Sequence, residues 1–315
     1  MNILQKTIAV IDKWQRRHPA TAFPYAVIKK YGEDEAGYQA ALLTYYGFLS
    51  LFPLLLVVTT LVTMLGTSQL GLQHTVTSAI ASYFPSFGDQ LSKVQSIHKS
   101  GVALIVGILF TLYGARGVAD AFRNGVNHIW QTPRAERVGF PLSILKNLAI
   151  IGVGGIGFLL ASITSGIAAA AGQGFVFRAL SIAINILILF WLFRLLLNLA
   201  LPGHVPFRQT RSAAAAAAIG LVALQFAGNL VLTRQLKHLN AVYSIFALSL
   251  GLLFWIYLQA QTIYYAVEIA SVRSLRLYPR GMQESDLTAA DKRVMSRQAR
   301  RERQIDSEII DTRFS

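Results

Sequence analysis

The feature that most constrains this chain is the recurrence of long apolar stretches with almost no charge inside them. The hydrocarbon core of a bilayer is about 30 Å thick, and a helix needs roughly 20 mostly apolar residues to cross it. Six such stretches are present: about Ala40 to Leu65, about Gly101 to Ala115 with a helical continuation towards Trp130, Leu148 to Ala171, Ala179 to Leu201, Ser212 to Leu232, and Val242 to Ala270. The second has a clean apolar core only from Val102 to Tyr113, short enough for a re-entrant segment if it stood alone. Composition agrees with a membrane reading. The 315 residues are 54% hydrophobic and 14% charged, against about 25% charged in soluble domains. That balance excludes a disordered or collagen-like chain and argues against an ordinary soluble enzyme. The expected fold is an all-α integral membrane protein with six transmembrane helices.

Charge sets the expected orientation. Sorted by the regions between the stretches, the 29 basic residues fall 23 to 5 in favour of the regions that include both termini, with Arg194 inside the fourth stretch. The positive-inside rule then places both termini in the cytoplasm, which requires an even number of spans and so supports counting the second stretch. The same distribution argues against nucleic acid. A nucleic-acid binder gathers its basic excess on one face among base-reading or base-stacking side chains, whereas here the excess follows topology. Beyond Gly281 basic and acidic residues balance, so the tail reads as a solvated helix or a disordered segment.

The chain divides into an arm over residues 1–38, a membrane domain over 39–272 and a charged tail over 273–315. No apolar stretch with a small-residue cleavage site opens the arm, so no secretory signal peptide is expected. Leu4, Ile8, Ile11 and Trp14 instead recur at helical spacing among Lys6, Lys13, Arg16 and Arg17. Two placements suit such a helix: on a membrane surface, with its cations at anionic headgroups, or packed on the protein's own cytoplasmic face. Residues from about Thr67 to Ser100 form the largest outer-face segment, expected as short amphipathic helices around Phe84-Pro85.

Several segments together resemble the bacterial YihY/BrkB family, once labelled ribonuclease BN-like. They are Leu43-Thr44-Tyr45-Tyr46-Gly47-Phe48-Leu49-Ser50-Leu51-Phe52-Pro53, then Gly114-Ala115-Arg116-Gly117 leading to Asn127-His128-Ile129-Trp130. Leu201-Pro202 followed by Arg208 and an Ala-rich span comes next, and then Phe254-Trp255-Ile256-Tyr257 running to Glu268. The resemblance covers about Phe23 to Val272. Where the family commonly closes its last span with Gly-Ala-Glu, this chain has Ala266-Val267-Glu268, which keeps the carboxylate and loses the glycine. The resemblance implies a polytopic inner-membrane protein with six spans and no settled activity.

A charge within a span costs about 2.5–3.5 kcal/mol on insertion scales, so each one asks for a reason. Arg116 and Asp120 share a helical face and can pair, with Arg123 and Asn127 continuing near it; Arg194 and Asn198 share a face of the fourth span, and Gln225 and Asn229 one of the fifth. Glu268 closes the sixth. Two readings stand. These groups are packing contacts and snorkelling cations, or Arg116, Asp120, Asn127, Arg194, Asn198 and Glu268 line a polar cavity for a lipid headgroup or small anionic solute. A carrier or flippase-like transporter of an envelope component needs Arg116, Arg194 and Glu268 to converge on one solvent-reachable cavity. A structural or partner-binding protein scatters them or buries them in closed pairs. Pro53 should kink the first span and free the Leu49 carbonyl for Ser50 or a neighbouring helix. The glycines Gly152, Gly154, Gly155, Gly157 and Gly166 should let the third span pack closely.

Signals of catalysis are missing. The chain has no cysteine, its six histidines form no metal-binding pair, and it has no nucleophile elbow, phosphate-binding loop or dinucleotide fingerprint. A hydrolytic nuclease needs clustered carboxylates or histidines, usually with metal. Only Asp120 and Glu268 lie in or near the spans. The expectation is a non-enzyme with no cofactor: a carrier or flippase-like transporter of an envelope component or of an anionic or zwitterionic solute, with a non-transporting structural or partner-binding membrane protein as the alternative, and with the bilayer and a lipid headgroup or small anionic solute as its partners.

Overall fold

The computed structural model describes residues 3–64, 101–170, 174–235, 241–283 and 286–314. Two short helices open the chain, α1 (Ile3–Arg17) and α2 (Pro19–Glu33). The long helices follow: α3 (Ala36–Met64), α4 (Gly101–Ile129), α5 (Leu142–Ala170), α6 (Phe175–Ala200), α7 (Arg211–Gln235) and α8 (Ala241–Ser274). A last helix, α9 (Ala289–Arg301), lies in the tail. There is no strand among the described residues. Five of these helices are long and apolar enough to cross a membrane: Ile105–Ile129, Leu142–Ala161, Val176–Ala200, Arg211–Gly228 and Ser249–Ser274. The short second stretch of the sequence is thus part of one continuous 29-residue helix. The expected outer-face helices fall outside the described residues. So do the side chains from Phe52 to Met64, where the bend expected at Pro53 lies within α3. The Ser50 hydroxyl donates to the Gly47 carbonyl at 3.0 Å, not to that of Leu49.

The long helices contact one another in a ring: α3 on α4, α4 on α5, and so on through α8, which returns to α3. Helix α4 also touches α6 and α8 across the ring. Small side chains permit this. On α7 the buried positions Ala213, Ala214, Ala217, Ala218, Leu221 and Val222 recur at three and four residues, which puts them on one helical face. Against them pack Leu192, Leu196 and Leu197 of α6 and the inward face of α8, including Tyr264, Val267 and Ala270. Outward, apolar side chains such as Ile105, Leu109, Phe110 and Tyr113 of α4 are exposed. In water each would lose about 25 cal/mol per Å² of apolar area left unburied; against hydrocarbon that loss disappears.

The tightest approaches differ from those the glycine-rich α5 predicts. Gly152 and Gly155 face open space, Gly154 makes an ordinary contact with Leu196, and Gly157 presses on Leu192. Close contacts also line α4 and α7, where Gly228 abuts Trp255 and Gly220 abuts Thr262. A Cβ on Gly114 would lie 2.6 Å from the Ser50 Cβ and 2.8 Å from its Cα, Gly117 abuts the Tyr46 ring, and Gly125 abuts Tyr264.

The two termini build a cap. His18 has an extended backbone and Pro19 is the first residue of α2, which ends α1 and starts a new helix direction. The tail contains a helix, as one of the two expectations has it, but that helix packs on the cap and does not stand free in solvent. Thr288 and Asp291 form a reciprocal capping box at the start of α9. Val294 of α9 and Leu277 pack with Ala26 and Val27 of α2 and Val272 of α8.

Candidate functional site

A fully buried polar cluster lies where α2, α4 and α8 meet. Lys30 of α2 is fully buried. Its ammonium donates to Asp34, to the Glu268 carboxylate at 2.9 Å and to the Ile129 carbonyl at 2.7 Å. Burial alone would lower the Lys30 pKa, but Glu268 and Asp34 outweigh it and raise it, so the ammonium is charged. Asp34 also accepts from the Gln131 amide at 3.1 Å. Two turns place these groups. Asp34 ends α2 and is followed by Glu35 at φ 50, while Gln131 just beyond α4 sits at φ 54. The left-handed region costs a non-glycine residue about 1–2 kcal/mol, and here it aims both chain reversals at Lys30. One cation thus faces two carboxyl groups, and Glu268 Oε1 is buried with no hydrogen-bond partner. The network has no opening to solvent: Lys30, Asp34 and Glu268 all have zero side-chain exposure.

A second buried charge cluster holds the cap shut. Arg280 donates to Asp291 and, at 2.8 Å, to both oxygens of Glu33. Asp291 further accepts from Lys29 at 3.1 Å, from the Gly281 amide at 2.9 Å and from Thr288. Burial would raise the Asp291 carboxyl, yet the hydrogen bonds from Thr288, Arg280 and Gly281 hold it well below the usual carboxylate range. From α1, Gln15 donates to the Arg280 carbonyl at 3.2 Å, Asp12 accepts from the Met282 amide at 3.1 Å, and Arg16 pairs with Asp286 at 2.8 Å.

The residues singled out in the sequence do not gather in one cavity. Arg116 pairs with Asp120 at 3.8 Å, as its spacing predicts, but its side chain is 68% exposed. Asp120 is held more closely by Arg123 at 3.1 Å and Asn147 at 2.7 Å. Asn127 is buried and donates to the Ala200 carbonyl at 2.8 Å, tying α4 to the end of α6. Asn198 is exposed. Arg194 is 6% exposed. Its guanidinium lies 3.9 Å from the Phe207 ring centroid, 5.5 Å from Trp191 and 5.8 Å from Phe190. No carboxylate pairs with it among the described residues, and its buried Nε has no acceptor. Glu268 lies in the Lys30 network. No hydrogen bond or ion pair among the described residues joins Arg116, Arg194 and Glu268 to one another.

The cost of a charge within a span points to Glu268, but not to its partner. Lys30 read as one more topological cation of the arm. The available signal was the Lys30/Asp34 spacing of four beside the apolar Ala26-Val27-Ile28 run. At the same end of the bundle a cavity of about 650 Å³ opens beside Trp130, His204, Arg297, Arg300 and Asp311.

Residues 27–290 match the family model described as virulence factor BrkB. No curated protein matches the chain, and no solved structure does.

Proposed function

The chain belongs to the BrkB family, and on that premise we propose that it is a structural or partner-binding protein of a bacterial inner membrane, whose working face is the folded cap. We further propose six spans with both termini in the cytoplasm and no catalytic step. The observation that carries the reading is the closed network at Glu268. A carrier needs that carboxylate in a solvent-reachable cavity with Arg116 and Arg194. Instead it is sealed against Lys30, and Arg116 turns outward.

One observation favours the carrier or flippase-like reading. Arg194 is a buried cation walled by aromatic rings with no anionic partner among the described residues. Arginine suits a phosphate or carboxylate through its forked donors. The two readings part in cells. Lipid and solute export is measured with the protein present, absent, and carrying Arg194→Ala, alongside the amount of folded protein. Under the partner-binding reading, export does not depend on the protein, while loosening the cap with Arg280→Ala removes its cellular phenotype. Export that falls without the protein, and falls as far with normally accumulated Arg194→Ala, replaces that reading with the carrier.

A further inference from the structure

Helix α1 is packed with its polar side inward. Asp12 and Gln15 are buried against the tail, and Arg16 joins them through Asp286. The opposite side carries Val10, Ile11 and Trp14, exposed at 68%, 48% and 55%. A helix that only packed on its own protein in water would turn these faces the other way round. The outward apolar strip is flanked on one side by Lys13 and Arg17, both exposed and without an ion pair among the described residues. No acidic side chain lies on the outward side, because Asp12, the helix's one carboxylate, is turned inward to Arg16 and the Met282 amide. Ile28 of α2 and Tyr38, Leu42 and Tyr45 at the start of α3 are exposed apolar residues as well.

We propose that the outward face of α1, Val10-Ile11-Trp14 with Lys13 and Arg17 beside it, seats in the headgroup–acyl boundary of an anionic membrane leaflet while the tail grips its polar face. An amphipathic helix with a cationic flank binds such a surface through both terms, apolar burial and attraction to anionic lipid. An indole at the boundary places its ring in the apolar layer and its N–H at the headgroups. The proposal stands independently of whether the protein carries a substrate. It assigns the cap a second attachment: one face to the bundle, the other to the bilayer surface.

The chain has no cysteine, so single cysteines can be labelled without altering a native thiol. Full-length protein carrying a nitroxide at Val10→Cys, Ile11→Cys or, as an aqueous reference, Asp306→Cys is reconstituted into vesicles of phosphatidylcholine alone or with phosphatidylglycerol. Collision with oxygen and with a water-soluble nickel complex is then measured. The expected result is loss of nickel collision at positions 10 and 11 relative to 306, with oxygen collision retained, and a larger loss when phosphatidylglycerol is present. Adding Lys13→Glu and Arg17→Glu should abolish that extra loss while leaving the Arg280 contacts in place. Nickel collision at 10 and 11 equal to that at 306 overturns the proposal. So does spin–spin broadening between labels at position 11, which would show a second copy covering the strip. All substituted positions are exposed, so misfolding does not stand in for either outcome.

Discussion

At the scale of single residues, each buried cation joins a partner near in sequence to one far away: Lys30 takes Asp34 and Glu268, and Arg280 takes Asp291 and Glu33. Lys30 offsets two carboxyl groups in a site closed to water. Breaking a buried ion pair by removing one partner costs about 3–5 kcal/mol, because the remaining charge has no solvent to stabilise it. Lys30→Met should therefore lower the melting temperature in detergent steeply. Adding Glu268→Gln should recover part of the loss, since one stranded carboxylate is then neutral. A double variant no more stable than Lys30→Met would show that the two groups are not coupled. Asp291 supplies a pH dependence. Its folded pKa lies below the ordinary 3.8, so its contribution to the cap is fully present above that value and is lost as pH falls through the folded one. Fluorophores on Lys13→Cys and Met295→Cys should keep their separation from neutral pH down to the carboxylate range and move apart only below it. Separation in mildly acid buffer would place the holding charge elsewhere. Of these partners only Asp34, four residues from Lys30, has a signal in the sequence. Beyond Gly281 the acidic and basic residues balance, and a balance of charges looks the same whether the charges are solvated or paired with one another. What separated the cases was Arg280 sitting buried against Asp291 and Glu33.

At the scale of helices, apolar length was a faithful guide, the alanines of α7 were too, and the glycine run of α5 was not. Hydrophobic runs mark a helix wherever the solvent is hydrocarbon, so the segments from Leu148 and Ala179 appear as α5 and α6 close to where expected. A glycine run says only that close approach is allowed. Whether a helix approaches depends on which face meets a neighbour, and the α5 glycines at 152 and 155 turn to open space. The seam in which a glycine meets a neighbouring helix's backbone is α3 on α4, where Gly114 has the Ser50 Cα 2.8 Å from any added Cβ. Backbone cannot swing aside as a side chain can. Gly114→Ala should therefore push the helices apart and destabilise by about 1–3 kcal/mol, the usual range for overpacking. Gly152→Ala should be neutral or slightly stabilising, since alanine lowers the entropy of the unfolded chain and meets nothing. Thermal unfolding of both variants in one detergent checks the pair. Equal melting temperatures would mean that the seam relaxes freely.

At the scale of the whole molecule, topology rests on two arguments that do not share an assumption. The first is electrostatic: basic residues divide 23 to 5 between alternate regions, and positively charged loops stay in the cytoplasm. The second is mechanical. The arm and the tail are bonded to each other through Arg280 to Glu33, Gln15 to the Arg280 carbonyl and the Met282 amide to Asp12. Groups that share hydrogen bonds share a side of the membrane, so the chain between them must cross an even number of times. Among the described residues five helices, α4 to α8, are long and apolar enough to cross; on the proposed six-span reading α3 is the helix that makes the count even. Reporter fusions at Ser315 and within Gly71–Ser96 should therefore report cytoplasm and exterior respectively. A cytoplasmic reading at both positions would take α3 and α4 out of the spanning set together, leaving four crossings and the arm–tail contacts intact. An external Ser315 with a cytoplasmic arm would break those contacts as well, and the closed network around Lys30, which draws on α2 and α8 at once, could not form in the folded protein.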